Sequence, residues 1–273
     1  MVVTFEVDQV WKPIDRKTFS ETTFRAALRQ DLTDDINLYA SVNRGFKAGE
    51  FNLQSPYDAP VNPETIMAYE AGLKADLLDR HLRINLAGFH YDIKDYQVRA
   101  SPGGVSSLQN AAKVKVDGFD MTAEAAVTNQ LRLNLGASWL NSRYGTYLFA
   151  PGFYPGAAGD ASGRQTALAP RFTFNAGATY KVELGEDSSL RFSANYTHKS
   201  SYVFEADNVL RQPAYDLVSA SAEWQINRTF AVEVWARNIG DTAYNVQMVT
   251  TAGQQALAGQ PRTYGANLKV RFQ

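Results

Sequence analysis

Apolar and polar side chains alternate along most of this chain with a period of two. Residues 261–273 show it most clearly. Tyr264, Ala266, Leu268, Val270 and Phe272 fall on one side, and Gly265, Asn267, Lys269 and Arg271 on the other. Successive side chains of an extended segment point to opposite faces, so this is a strand with one apolar and one polar face. In 131–139, Leu131, Leu133, Leu135, Ala137 and Trp139 oppose Arg132, Asn134, Gly136 and Ser138. The pattern repeats in 171–182, 190–199, 218–226 and 230–237. Further strands are expected at 22–31, 36–46, 65–77, 82–96 and 110–127, and another at 2–7 with Val3, Phe5 and Val7 on one side.

The connections sort into two lengths that alternate. Short turns fall at 33–35, 79–80, 129–130, 185–188 and 227–228. Long ones fall near 47–62, 98–109, 148–168, 202–213 and 245–260. An antiparallel up-and-down transmembrane β-barrel has this plan, with tight turns at one end, long loops at the other, lipid against the apolar face and a polar lumen. The expected fold is therefore all-β, with twelve strands counted from Val3 and both termini on the short-turn side. No domain boundary interrupts the meander, so 1–273 reads as one unit.

Two places depart from the pattern. In 62–78, Ile66, Tyr69, Leu73 and Leu77 stand at helical spacing behind Asn62 and Pro63, a plausible cap and first turn. By propensity alone this segment is a helix. The strand phase also slips between Leu82, Ile84, Leu86 and Phe89, Tyr91, Ile93. A β-bulge at Ala87-Gly88 would produce such a slip.

Composition narrows the function. Lysine and arginine number 27 against 28 acidic residues, a net charge of −1, so nothing argues for a nucleic-acid partner. The absence of cysteine removes disulfides, thiolate metal sites and thiol catalysis. The mean hydropathy of −0.31 is what alternating faces average to. No apolar run approaches the roughly 20 residues of a membrane-spanning helix. The first residues, MVVTFEVDQVWKPIDRK, lack the basic start and apolar stretch of a signal peptide.

Five segments together resemble the TonB-dependent outer-membrane receptors, in that family's order. They are LYASVNRGFKAGEFN (38–52), PETIMAYEAGLKADLLDRHLRINLAGFHYDIKDYQ (63–97), NAAKVKVDGFDMTAE (110–124), VEVWARNIGDTAY (232–244) and PRTYGANLKVRF (261–272). The resemblance implies the C-terminal half of a plugged barrel of roughly 22 strands. It makes 62–78 a strand, with Glu70, Gly72 and Lys74 toward the lumen and Tyr69, Ala71 and Leu73 toward lipid. Asn238, Gly240, Asp241 and Tyr244 look like the family's Asn-Leu-Phe-Asp…Tyr element, with Ile239 and Gly240 in place of Leu and Phe. Tyr264, Leu268, Val270 and Phe272 look like the C-terminal signal read by the outer-membrane assembly machinery, although Gln273 follows the aromatic that usually ends the chain. The plug, the TonB-engaging motif and the first half of the barrel are not matched, so the chain reads as a fragment with Met1 an internal start.

The chemistry expected is transport, not catalysis. His81, His90 and His198 are far apart, and no nucleophile elbow, P-loop or dinucleotide fingerprint is present. No metal site or cofactor is expected. Tyr39, Phe46, Tyr69, Tyr91, Trp139, Tyr144, Tyr180, Tyr196, Trp224 and Tyr264 are assigned to aromatic girdles at the bilayer interfaces. Aromatic loop residues Phe149, Phe153, Tyr154, Tyr202 and Phe204 are the candidate ligand contacts. The resemblance implies TonB-energised uptake of a scarce nutrient, siderophore-bound iron foremost, across a Gram-negative outer membrane. Its partners would be outer-membrane lipid, the assembly machinery, a small-molecule ligand, and TonB through the missing plug. A free-standing passive porin of twelve strands, with Arg132, Lys181, Arg191, Lys199 and Lys269 inside, is the alternative.

Overall fold

The structure, a computed structural model, describes residues 17–52, 59–100, 107–111, 113–148, 150, 159–250 and 254–271. Its strands in chain order are β1 (Phe24–Asp31), β2 (Ile36–Lys47), β3 (Glu64–Leu77), β4 (Leu82–Lys94), β5 (Gln97–Ala100), β6 (Ser107–Asn110), β7 (Lys113–Ala126), β8 (Leu131–Tyr144), β9 (Phe172–Glu183), β10 (Ser189–Lys199), β11 (Tyr202–Val203), β12 (Arg211–Gln212), β13 (Tyr215–Gln225), β14 (Phe230–Arg237), β15 (Asn245–Thr250), β16 (Gln254–Ala258) and β17 (Thr263–Val270). Eleven form one sheet in the order β1-β2-β3-β4-β7-β8-β9-β10-β13-β14-β17. The other six make three small hairpins within the long connections. Every pairing in the large sheet is antiparallel. Among the described residues this sheet is open, with β1 and β17 at its edges. The expected strand at 2–7 lies outside the described residues.

The five short turns fall where the sequence puts them. Backbone bonds close them, among them Leu32 N–H to Ile36 O at 2.9 Å, Leu184 N–H to Ser188 O at 2.8 Å and Ile226 N–H to Phe230 O at 3.0 Å. The turn after β3 is made without glycine: Leu78, Asp79 and Arg80 all carry positive φ, at 53°, 53° and 66°. A tight hairpin asks for that left-handed backbone, and non-glycine residues adopt it at a cost.

Residues 64–77 are a strand and not the helix that propensity favours. Tyr69 pairs with Val42 on one side and with His90 on the other. The expected bulge at Ala87-Gly88 is also absent. The pairing runs without a shift through Ala71–Gly88 and Gly72–Ala87 to β3, and through Gly88–Phe119 to β7.

The two faces explain both departures. On the face that holds Leu38, Leu73, Leu86, Leu135 and Phe192, large apolar side chains stand in the open. Leu135 is 38% exposed, Trp139 47%, Phe119 42%, Trp224 47% and Val234 53%. The long connections fold against the opposite face, which is therefore the inner one: Tyr147, Ala150 and Ala161 pack on Val114, Val116 and Tyr144. Along β7 and β8 the outward face is apolar from Ala125 and Leu133 up to Phe119 and Trp139. Beyond them come Asp117, Lys115 and Lys113, and Asn141 and Arg143. At that height the inner face turns apolar, with Phe89, Tyr91 and Ile93 on β4 and Leu140 on β8 packed into the loop cluster. The apolar phase changes sides because the environment changes sides, with the register intact.

This corrects the aromatic belt. Tyr39, Tyr91 and Tyr144 point inward: the Tyr39 hydroxyl donates to Glu70 at 2.8 Å, and Tyr144 is 3% exposed. Outward aromatics nonetheless form two rows. Tyr69, Phe119, Trp139, Phe172 and Tyr264 lie toward the long connections, and Tyr180, Phe192, Trp224 and Phe230 toward the short turns.

Candidate functional site

Two inner surfaces stand out as functional ground. The first is the wall below the loops. Tyr39 lies over Gly72, where a Cβ would come within 2.6 Å of its ring, and Lys74 Nζ sits 5.7 Å from the ring centre. Arg83 binds Asp76 at 2.7 Å, Asn85 donates to Thr122 at 3.1 Å and Ser138 to Asp120 at 2.5 Å. On the C-terminal side Lys269 bridges Glu223 at 2.5 Å and Glu233 at 3.0 Å. Arg191 reaches Glu223 at 3.4 Å, and Asn267 donates to Glu233 at 3.1 Å. Alternating cations and anions suit a polar protein surface laid against them better than a lone ion.

The second surface is the loop-covered mouth. Two amide side chains, the buried Gln97 and the half-buried Asn110, lace the first two long connections together. Gln97 takes Glu64 Oε2 with its backbone N–H at 2.8 Å, and its side chain donates to the carbonyls of Ala48 and Asn62, both at 3.0 Å. Asn110 donates to Asp95 O at 2.7 Å and accepts from Asn62 N–H at 2.8 Å. The third and fourth connections meet where Leu168 N–H donates to Val203 O at 2.8 Å and Asn208 to Gln165 O at 3.0 Å. The Arg164 guanidinium also caps the Asp207 carbonyl there. A second aromatic cluster of Tyr202, Phe204, Leu210 and Tyr215, joined by Tyr244, backs this junction. Burial pushes the Tyr96 and Tyr147 phenols above their ordinary range.

The predicted ligand contacts divide. Tyr202 and Phe204 are 7% and 9% exposed, with ring centres 5.3 Å apart, so a direct hold on ligand requires their hairpin to open. Phe149, Phe153 and Tyr154 lie outside the described residues, as does Phe272. Tyr264, Leu268 and Val270 share the outward face of β17, 81%, 68% and 37% exposed. Gln97, Asn110 and Asp207 hold the mouth together, and the sequence reading did not find them. Gln97 and Asn110 work through side-chain contacts to distant segments, and Arg164 reaches the Asp207 carbonyl across 43 residues; no local pattern announces such contacts.

Asp160 anchors the third connection through Ser162, whose side chain first and backbone N–H second, the latter at 2.8 Å, hold the carboxyl below the usual carboxylate range. A depressed acid stabilises the fold above its unfolded pKa, and the contribution fades as pH falls through the lower folded value. Protection of the Ser162 amide against exchange, relative to the free peptide, is therefore expected to fall only below pH about 4, and Asp160→Asn to remove that dependence.

An antiparallel wall with an apolar outward face, aromatic rows at two heights and a paired polar interior is the wall of a transmembrane β-barrel. Residues 3–239 match the family model for the TonB dependent receptor-like β-barrel, and the chain belongs to that family. The pesticin receptor of Yersinia enterocolitica is 23% identical over 88% of this chain and 34% of its own length. The metal-pseudopaline receptor of Pseudomonas aeruginosa is 25% identical over 94% of this chain and 35% of its own. The chain thus spans about a third of the length of the curated relatives it matches. Among solved structures, the ferric yersiniabactin uptake receptor of Yersinia pestis superposes with a TM-score of 0.76 at 20% identity. That match covers 91% of this chain and 37% of the receptor.

Proposed function

We propose that this chain is the C-terminal wall of an outer-membrane receptor that takes up a scarce nutrient, siderophore-bound iron foremost, on energy delivered by TonB. The observation that supports it most is the pairing of an outward apolar band with an ordered, loop-covered mouth on the inner face. A passive pore has little use for such a mouth. In this reading residues 1–273 are one barrel-wall unit without catalytic chemistry. Lipid covers the outward face, and the assembly machinery reads β17 through Tyr264, Leu268, Val270 and Phe272. The polar wall around Glu223 and Lys269 meets the plug through which TonB acts. The aromatic connections, with Phe149, Phe153 and Tyr154, receive the chelate.

The test is an in-frame deletion of codons 17–271 in the source bacterium, followed by uptake of radioactive iron presented on a panel of siderophores. Loss of uptake for one chelate, reproduced by removing TonB, is the expected result. Unchanged uptake across the panel, together with stepwise anion-selective conductance of the purified chain in a planar bilayer, would replace the receptor with the porin.

A further inference from the structure

Among the described residues, His90 alone of the chain's three histidines has a carboxylate on each ring nitrogen. Its Nδ1 lies 2.7 Å from Asp117 Oδ1 on β7, and its Nε2 lies 3.2 Å from Asp92 Oδ2 on its own strand. An ionised carboxylate only accepts, and a neutral imidazole carries a single N–H. The doubly protonated ring is therefore the form that satisfies both contacts. The other two histidines make no such demand. His81 meets the Leu78 carbonyl through Nδ1 at 2.9 Å, and His198 meets Asp216 through Nδ1 at 2.8 Å, so one N–H serves each of them.

The surroundings give the group two arrangements. The charged and titratable residues facing His90 are Tyr69 from β3, Asp92 from β4, and Asp117 and Lys115 from β7; Lys94, Lys113 and Arg143 stand farther out. Among the described residues Asp92 and Asp117 have no hydrogen bond or ion pair besides those to His90. Lys115, directly opposite Asp92, has none at all. While the ring is charged, it holds both acids. Once it loses a proton, a lone pair faces one carboxylate, and Asp92 has Lys115 to turn to. The group lies beyond Phe119 and Trp139, past the apolar band, and the Asp117 bond foremost pushes the imidazole above its ordinary range.

The same stretch of backbone carries the floor of the mouth on its other side. Phe89 and Tyr91, which flank His90, stack on the inner face with ring centres 4.8 Å apart. The Phe89 ring lies over Gly118, and Val116, next to Asp117, is buried in the loop cluster. We propose that His90, Asp92 and Asp117 form a proton-operated clasp that ties β4 to β7 behind the floor of the mouth and loosens as the medium turns alkaline. A base whose folded pKa is raised stabilises the fold fully below its unfolded pKa, and that contribution is lost as pH rises through the higher folded value. The clasp goes beyond the uptake reading and acts whatever the mouth receives.

The experiment uses the assembled full-length receptor in detergent micelles, with isotope-labelled histidine, titrated by NMR from about pH 5 to about pH 9. The His90 resonance, identified by its loss in His90→Gln, is expected to titrate at higher pH than in D92N/D117N. Amide exchange, taken relative to the free peptide, reads the clasp itself. Protection of residues 89–93 and 114–118 is expected to fall about twofold to fivefold as pH rises through the His90 midpoint, the range an exposed ion pair is worth. Residues 176–178 and 194–196, on β9 and β10, are expected to stay level. His90→Lys keeps a cation on β4 that does not titrate in this range, and is expected to hold protection level throughout. A His90 midpoint no higher than in D92N/D117N overturns the proposal. So does a raised midpoint with unchanged protection of 89–93 and 114–118, which would make the charged ring a surface feature that ties nothing. Should D92N/D117N fail to assemble, D92N alone carries the comparison, with a smaller shift in the same direction expected.

Discussion

Leu135→Arg is expected to destabilise the assembled receptor by about 2–4 kcal/mol, the cost of a cation facing lipid near the bilayer midplane. Leu135 is the middle residue of the outward series Leu131, Leu133, Leu135, Ala137 and Trp139, and its register neighbours are Ala123 and Ala176. The nine residues from Leu131 to Trp139 cover about 30 Å along the strand, or a band of roughly 23 Å once the usual barrel tilt is allowed for. That matches a hydrocarbon core and leaves Leu135 without a nearby interface to which an arginine could snorkel. Asn134→Arg, one residue earlier and inward, puts the same cation opposite Glu124 and is expected to cost less than about 1 kcal/mol. Urea titration of the heat-modifiable folded form measures both. Equal costs at the two positions would mean that the faces have been assigned wrongly.

Asn238→Ala is expected to cost about 3–4 kcal/mol. Asn238 is 5% exposed and adopts φ of 47°, in the left-handed region. Its amide nitrogen donates to Thr242 O at 2.9 Å and Gln260 O at 3.0 Å, and its oxygen accepts the Thr242 N–H at 2.9 Å. One side chain thus ties the start of the 238–262 excursion to its end. Alanine removes three bonds worth roughly 1 kcal/mol each, leaves their partners unpaired, and suffers the left-handed backbone for about 1 kcal/mol more. Asn238→Gly loses the amide but accepts the backbone, so it is expected to recover about 1 kcal/mol of the loss. The urea midpoint gives the energies, and amide exchange at Thr242 shows whether the pin is what failed. Asp241 reinforces it by accepting the Arg262 N–H at 3.0 Å.

The same element shows how far the sequence could be read. Asn238, Gly240 and Asp241 signal a turn, and a turn is there, but the reach of Asn238 to Gln260 spans 22 residues that no local pattern links. The strands were legible wherever one environment covers a whole face, as on β9, β10 and β13. They were misread where a strand leaves that environment partway. On β3, Ile66 points inward into the region of the mouth while Tyr69 and Leu73 point outward below it. Two alternating patterns of opposite phase joined end to end put apolar residues three and four apart, which imitates a helix. The slip on β4 and the misplacement of Tyr91 and Tyr144 have the same origin. The mouth itself was not legible, because the side chains of Gln97 and Asn110 act on segments that folding brings to them, and Arg164 reaches Asp207 through its backbone carbonyl.

The change of phase also divides the molecule into two materials. Below Phe119 and Trp139 the protein is inside-out, greasy where it meets lipid and ionic where it meets itself, and water's aversion to hydrocarbon does nothing to keep the strands together there. Above them, Val114, Val116, Tyr144 and Tyr147 make an ordinary globular core that only water holds shut. Urea, cold and chaotropic salts act on that second kind of cohesion. The loop-covered end is therefore expected to loosen in urea before the strands beneath it do.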